Sequence, residues 1–172
     1  MRDRYRCRIL RPRNGFTLLE TLVVVAIVGV VLLFAIPALY SILQSYKVKS
    51  TANQIAIQIR MARNLCVSQK TDYQVIINSM TASPNPNTYV IQNRPAGSFT
   101  DVLNLDTKIP AGVQILNTGI LSGGSATLQM NPRGKIFCVT GSIPYLIEIE
   151  GVNQLRYRIL VDPTGSVEVK EG

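Results

Sequence analysis

Residues 13–31 read RNGFTLLETLVVVAIVGVV: a basic approach, an abrupt apolar run, and one acid, Glu20, at the threshold between them. The run proper, LVVVAIVGVVLLFAIPAL at 22–39, holds eighteen residues without a charge or a strongly polar side chain. That is close to the ~20 residues needed to cross a ~30 Å hydrocarbon core. Val and Ile would suit a strand, but over such a length in lipid only a helix pairs every backbone group within one segment. The arginines in front stay cytoplasmic by the positive-inside rule, so the residues beyond the run lie on the other side. The sequence therefore predicts a chain that crosses a membrane once, with its C-terminal domain extracytoplasmic.

The chain has 172 residues, enough for one small globular domain once an anchor is set aside. Its formal charge is +8, but Arg2, Arg4, Arg6, Arg8, Arg11 and Arg13 against Asp3 put +5 of that in residues 1–15 and leave +3 for the rest. The basic balance is thus weak evidence for a nucleic-acid partner. There is no His and no Trp, which removes the commonest general base and the commonest metal ligand together. With no nucleophile, base or metal set in view, the expectation is no enzyme, no catalytic residue, no metal and no cofactor.

Pro37 lacks an amide donor and its ring crowds the preceding turn, so a bend is expected there without the helix having to stop. Beyond it, Val48, Ala52, Ile55, Ile59, Ala62 and Cys66 recur at spacings of four, three, four, three and four, one apolar stripe at helical period. The prediction is a single helix from about 16 to about 68, roughly 80 Å long at 1.5 Å per residue. Its first half is apolar all round; its second half is amphipathic and must lie on something. Eight short runs rich in β-branched and aromatic residues supply that surface, at 72–78, 87–93, 113–118, 126–130, 135–140, 145–150, 155–161 and 166–170. NPRG at 131–134 and DPTG at 162–165 each place an Asx, a Pro at the second position and a Gly at the fourth, the type I turn pattern, and so predict two hairpins. Segments 79–87, 92–101 and 121–126 are read as loops. The fold class is α+β: a long N-terminal helix, half membrane-spanning and half amphipathic, packed on an antiparallel β-sandwich.

Gly15-Phe16-Thr17-Leu18-Leu19-Glu20, behind a basic leader and ahead of an apolar helix with Pro37, resembles the N-terminal signature of type IV pilins and type II secretion pseudopilins. Gly precedes Phe, Glu is fifth from Phe, and Pro is twenty-second. The resemblance implies cleavage after Gly15 by a membrane prepilin peptidase, usually with N-methylation of Phe16. It implies three parts: a cleaved leader at 1–15, a transmembrane and filament-core helix at 16–43, and at 44–172 the amphipathic half with an extracytoplasmic β-rich domain. Partners would be other pilin or pseudopilin subunits, the peptidase and an inner-membrane assembly platform. NPRGKI at 131–136 and LVDPTGSVEV at 160–169 resemble the pseudopilin H and minor pilin FimT group, whose members are minor subunits near a filament tip.

A carboxylate inside an apolar helix costs about 2–3 kcal/mol at mid-membrane and less near the interface. No Lys or Arg stands within a helical turn of Glu20. If the chain begins at Phe16, the new ammonium group of one subunit can pair with Glu20 of the next, and in the family this glutamate sets axial register. The plainer alternative is that Glu20 snorkels into the headgroups. An ordinary signal peptide cut near residue 40 would need a small-x-small site, and Ala35, Ala38 and Ser41 around Pro37 make a poor one. An uncut signal anchor is the remaining targeting alternative.

Cys66 on the helical stripe and Cys138 in a strand could form a disulfide worth about 4 kcal/mol on the chain-entropy model, or could remain two buried thiols. Lys47, Lys49, Arg60, Arg63 and Lys70 are expected along the exposed helix. Arg156 and Arg158 share a strand face; they could contact an anion or DNA, or could pair with Glu148 and Glu150 on a neighbouring strand. The FimT branch includes members with a basic tail used in DNA uptake, but here the end is GSVEVKEG, with Glu168 and Glu171 beside Lys170. The leading expectation is a structural subunit of a pilus or pseudopilus; a pilus-borne DNA receptor in natural transformation is the alternative.

Overall fold

The computed structural model describes residues 15–82, 85–95, 97–102, 107–116, 124–139 and 145–172. Except for Gly15, the expected leader lies outside them, as do parts of the loops expected at 79–87, 92–101 and 121–126 and the ends of the strands expected at 113–118 and 135–140. Helix α1 runs from Leu18 to Gln69, 52 residues, and passes through Pro37. The chain divides into two units within that helix, Met1–Leu39 and Tyr40–Gly172.

In the first unit every described residue is exposed, including Leu22, Val25, Ile27, Leu33, Phe34 and Ile36. An 18-residue window of α1 has a mean hydropathy of 3.1 and none of it is buried. Apolar surface on this scale is unstable in water, and by length and composition the helix can cross a membrane.

In the second unit the expected stripe is the core face. Val48, Ala52, Ile55, Ile59, Ala62 and Cys66 are all buried, joined by Ala56 and by the polar Gln44 and Thr51. The chain then forms β1 Tyr73–Asn78, β2 Thr88–Asn93, β3 Thr100–Asp101, β4 Thr107–Lys108, β5 Val113–Leu116, β6 Ser125–Met130, β7 Ile136–Cys138, β8 Tyr145–Gly151, β9 Arg156–Val161 and β10 Val167–Glu171. One antiparallel sheet has the order β3-β2-β1-β6-β7, with β4 also on β2; the other has the order β10-β9-β8-β5. Alternation buries Tyr73, Val75 and Ile77 of β1, and Tyr145, Ile147 and Ile149 of β8, in a core shared with α1.

Both expected hairpins form. In the NPRG turn the Gly134 N–H donates to Asn131 O at 2.9 Å, and in the DPTG turn the Gly165 N–H donates to Asp162 O at 2.9 Å. The two glycines adopt φ of 78° and 85°, the left-handed conformation that follows a type I turn at a bulge. Strand β3 falls in the segment expected to be loop. It is held by polar contacts, such as Gln92 Nε2 donating to Asp101 Oδ1 at 2.7 Å, which leave no apolar alternation to read. The short β4 likewise lies outside the strands expected from the sequence.

Hydrogen bonds from turn and connecting residues tie the sheets together. The Ile136 N–H of β7 donates to Pro163 O in the β9–β10 turn at 3.1 Å. Asn87, at φ 55°, donates through Nδ2 to Val113 O (2.8 Å) and accepts the Ile115 N–H (3.1 Å), fastening the β1–β2 connection to β5.

Candidate functional site

Gly15, Phe16 and Thr17 precede the helix, and nothing stands within 4 Å of where a Cβ on Gly15 would be. Thr17 caps α1: its Oγ1 accepts the Glu20 N–H at 3.2 Å, and its carbonyl accepts the Thr21 N–H at 3.2 Å. Thr17-x-x-Glu20 has the spacing of a capping box, with the acid in the first turn, where the helix dipole favours negative charge. Glu20 thus has a local reason for its place as well as an intermolecular one. The sequence carries that signal in the Thr/Glu interval of TLLE, although the expectations for Glu20 concerned its intermolecular pairing or its snorkelling alone. Among the described residues Glu20 has no ion-pair partner. Phe16 is 78% exposed, so the segment with the expected scissile bond and methylated residue is accessible.

Arg60 and Arg63, expected among the exposed basic residues of the helix, are structural fasteners. Arg63 Nε donates to Gly134 O at 2.9 Å and its guanidinium nitrogen to Thr164 O at 3.1 Å, so one side chain holds both hairpin turns against α1. Gly165 is packed so closely that a Cβ there would sit 2.1 Å from Arg63 Nε. Arg60 donates to Val167 O in β10. Nothing in the local pattern marks these arginines; only the pairing of the turns with the helix does.

Arg156 and Arg158 share one face of β9, as their spacing requires, and each meets an acid across β8. Arg156 Nε stands 3.1 Å from Glu150 Oε1, and Arg158 Nε stands 2.8 Å from Glu148 Oε1. On β10, Lys170 pairs with Glu168 at 2.9 Å. Such half-exposed pairs contribute about 0–1 kcal/mol each to stability. Of the two alternatives for these arginines the structure shows the pairing with Glu148 and Glu150, and its larger consequence is electrostatic, because the face carries alternating signs.

The cysteines do not form the disulfide that was one of two expectations for them; both are free. The Cys66 thiol donates to Met130 O at 3.3 Å, whereas Cys138 lies opposite Leu128 in the β6–β7 register. Two residues of strand separate those levels, about 7 Å. Burial pushes both thiols up from their ordinary value, against a smaller opposing effect at Cys66 from the Tyr73 backbone, which keeps them protonated and unreactive. No cluster of three or more His, Cys, Asp or Glu that could hold a metal occurs among the described residues.

The prokaryotic N-terminal methylation motif matches residues 10–36, the span that contains Gly15, Phe16 and Glu20. No curated protein matches the chain by sequence. Among solved structures, one of the minor pseudopilin EpsH from the type II secretion system of Vibrio cholerae is similar at 13% identity with a TM-score of 0.55, covering 73% of this chain and 97% of that one. A second structure of the same pseudopilin gives 12% identity and a TM-score of 0.54, covering 74% and 96%. At such identity the likeness is one of fold, and its 73% coverage takes it well beyond the span of the motif. The chain thus carries a prokaryotic N-terminal methylation motif at residues 10–36 together with a fold similar to that of the minor pseudopilin EpsH.

Proposed function

We propose that the protein is a structural subunit, a minor pilin or pseudopilin, cut after Gly15 by a prepilin peptidase and N-methylated on Phe16. It is held in the cytoplasmic membrane by the first half of α1 with the β-rich unit extracytoplasmic, and an assembly platform then packs it into a filament with other subunits. The observation that carries this reading is the first half of α1, apolar on all sides and uncovered, behind a methylation motif. Such a helix needs lipid before assembly and neighbouring helices after it. Glu20 then pairs with the amine that cleavage creates on an adjacent copy, setting the axial step.

The test is to recover the protein from its native membrane and sequence it from the N-terminus. The expected first residue is N-methylated Phe16; a mature chain that begins elsewhere overturns the proposal.

A further inference from the structure

At one end of the β-rich unit, two segments that are far apart in sequence come together along a short stretch of α1. Gly151, at the end of β8, is so close to the helix that a Cβ would meet Val48 Cγ2 at 2.3 Å. One turn nearer the N-terminus, a Cβ on Gly112 would stand 3.4 Å from Gln44 Oε1 and 3.3 Å from Val152 Cγ2. Lower still, Asn153 Nδ2 reaches Ser41 O at 3.4 Å. The Val152 N–H donates to Gly112 O at 3.1 Å, so the β8–β9 turn and the loop before β5 form one surface.

That surface carries no charge. Residues 110–112 are Pro-Ala-Gly and residues 152–154 are Val-Asn-Gln; Pro110, Ala111, Val152, Asn153 and Gln154 are exposed, with Val152 at 67%. Glu150 and Arg156, which flank the turn, are paired with each other. The adjoining helix adds exposed Tyr40, Ile42, Leu43 and Tyr46, with Lys47 and Lys49 just beyond. An exposed Val at a hairpin tip, a charge-free rim and exposed tyrosines, with lysines beyond, are the side chains that suit the zone between acyl chains and headgroups. Chain continuity fixes the level. Ser41 is two residues past Leu39, where the apolar run ends, so whatever the angle between the two units it stands within about 7 Å of that point.

We propose that this end of the β-rich unit, residues 110–112 and 151–154 with the helix at 40–46, is a lipid-contact surface. In the unassembled subunit it seats in the headgroup layer of the bilayer that α1 crosses. The inference rests on the membrane-anchored reading of α1. It gives the subunit a second hold on the membrane, which limits how far the unit can tilt and must be released on assembly.

Because the chain has no Trp, single substitutions supply a clean probe. Full-length protein carrying Val152→Trp, reconstituted at low density in phosphatidylcholine–phosphatidylglycerol vesicles, is compared with protein in vesicles brominated near the headgroup end of the chains. Emission from position 152 is expected to be blue-shifted and to lose intensity with brominated lipid, and Ala111→Trp in the adjoining loop is expected to behave likewise. Thr164→Trp, in the turn beyond the other end of β9, should be quenched only by aqueous iodide. Leu22→Trp reports the anchor itself. If position 22 is quenched by brominated lipid while 152 and 111 respond only to iodide, the lipid-contact proposal is overturned and the anchor stands. If position 22 is not quenched either, the anchored reading fails and takes this proposal with it. Shielding of position 152 that rises with protein density would mean a second copy covers the surface, and would also overturn the proposal.

Discussion

Glu20 sits under two influences of different range. The N-terminal end of α1, where Thr17 caps the first turn, favours a negative charge at that position by about 0.3–1 kcal/mol when exposed, which is less than a carboxylate loses in entering lipid. On the proposed reading of Glu20 as an assembly contact, the remainder comes from another molecule. Glu20→Ala is therefore expected to be processed at Gly15 as before but to enter filaments poorly, judged by the fraction of processed protein in sheared filaments; normal incorporation would defeat the pairing. Thr17→Ala, by contrast, should cost about 1 kcal/mol of local helix stability through loss of the cap. At the other end of α1, Arg63→Ala removes the two hydrogen bonds to Gly134 O and Thr164 O and should destabilise the β-rich unit by about 2 kcal/mol in urea unfolding of the full chain in detergent. Gly165→Ala should cost a similar amount, since its φ of 85° and its contact with Arg63 both oppose a methyl group. At this scale the motif residues were legible because their chemistry is local. Arg63 was not, because its role exists only once two turns from different sheets reach one helix.

Among the elements, legibility followed the strength of the period. The helical stripe from Val48 to Cys66 is buried as its spacing requires, and the NPRG and DPTG turns close the hairpins their residues specify. β3 escaped because its pairing is polar and two residues long, too short for any alternation to show. The cysteines mark the limit of such reasoning: both sit on core-facing positions, but register places them at different levels of β6, which spacing along the chain cannot reveal. With Cys66 and Cys138 free, the processed chain, denatured without reductant, should react with two equivalents of a thiol reagent, whereas a buried disulfide would leave none. Their raised pKa values also have a direction in stability. The folded state holds protons that the unfolded state gives up first, so stability is full below the ordinary thiol value and falls as pH climbs past it. Buried Tyr145, pushed up in the same sense by desolvation and by Cys138, extends the fall to higher pH. Urea midpoints should thus decline on the alkaline side, and less steeply in Cys66→Ala and Cys138→Ala proteins.

For the whole molecule, the sign pattern on the β8–β9–β10 face argues against a long-range pull on polyanions. Replacing Arg156, Arg158, Glu148 and Glu150 together by Gln is expected to leave any weak DNA retardation, and its salt dependence, essentially unchanged, because the two pairs removed carry no net charge. A marked drop would reinstate that face as a binding surface. The architecture itself was legible in outline, an apolar helix leading into an amphipathic one and then strands, whereas strand order was not, since β1 pairs with β6 across nearly fifty intervening residues. The same architecture bears on how such a chain can be recombined. The division into two units falls at Leu39 and Tyr40, in the middle of an unbroken helix, while the helix's far half supplies the floor of the core. An exchange of anchors between related proteins would therefore keep both parts intact if the splice fell near residue 40. A splice at the helix end, near Gln69, where secondary structure changes and a boundary would ordinarily be drawn, would strip the sheets of the element they fold upon. In this chain the joint between modules lies inside a helix, and the visible bend of the chain from helix to strand is no joint at all.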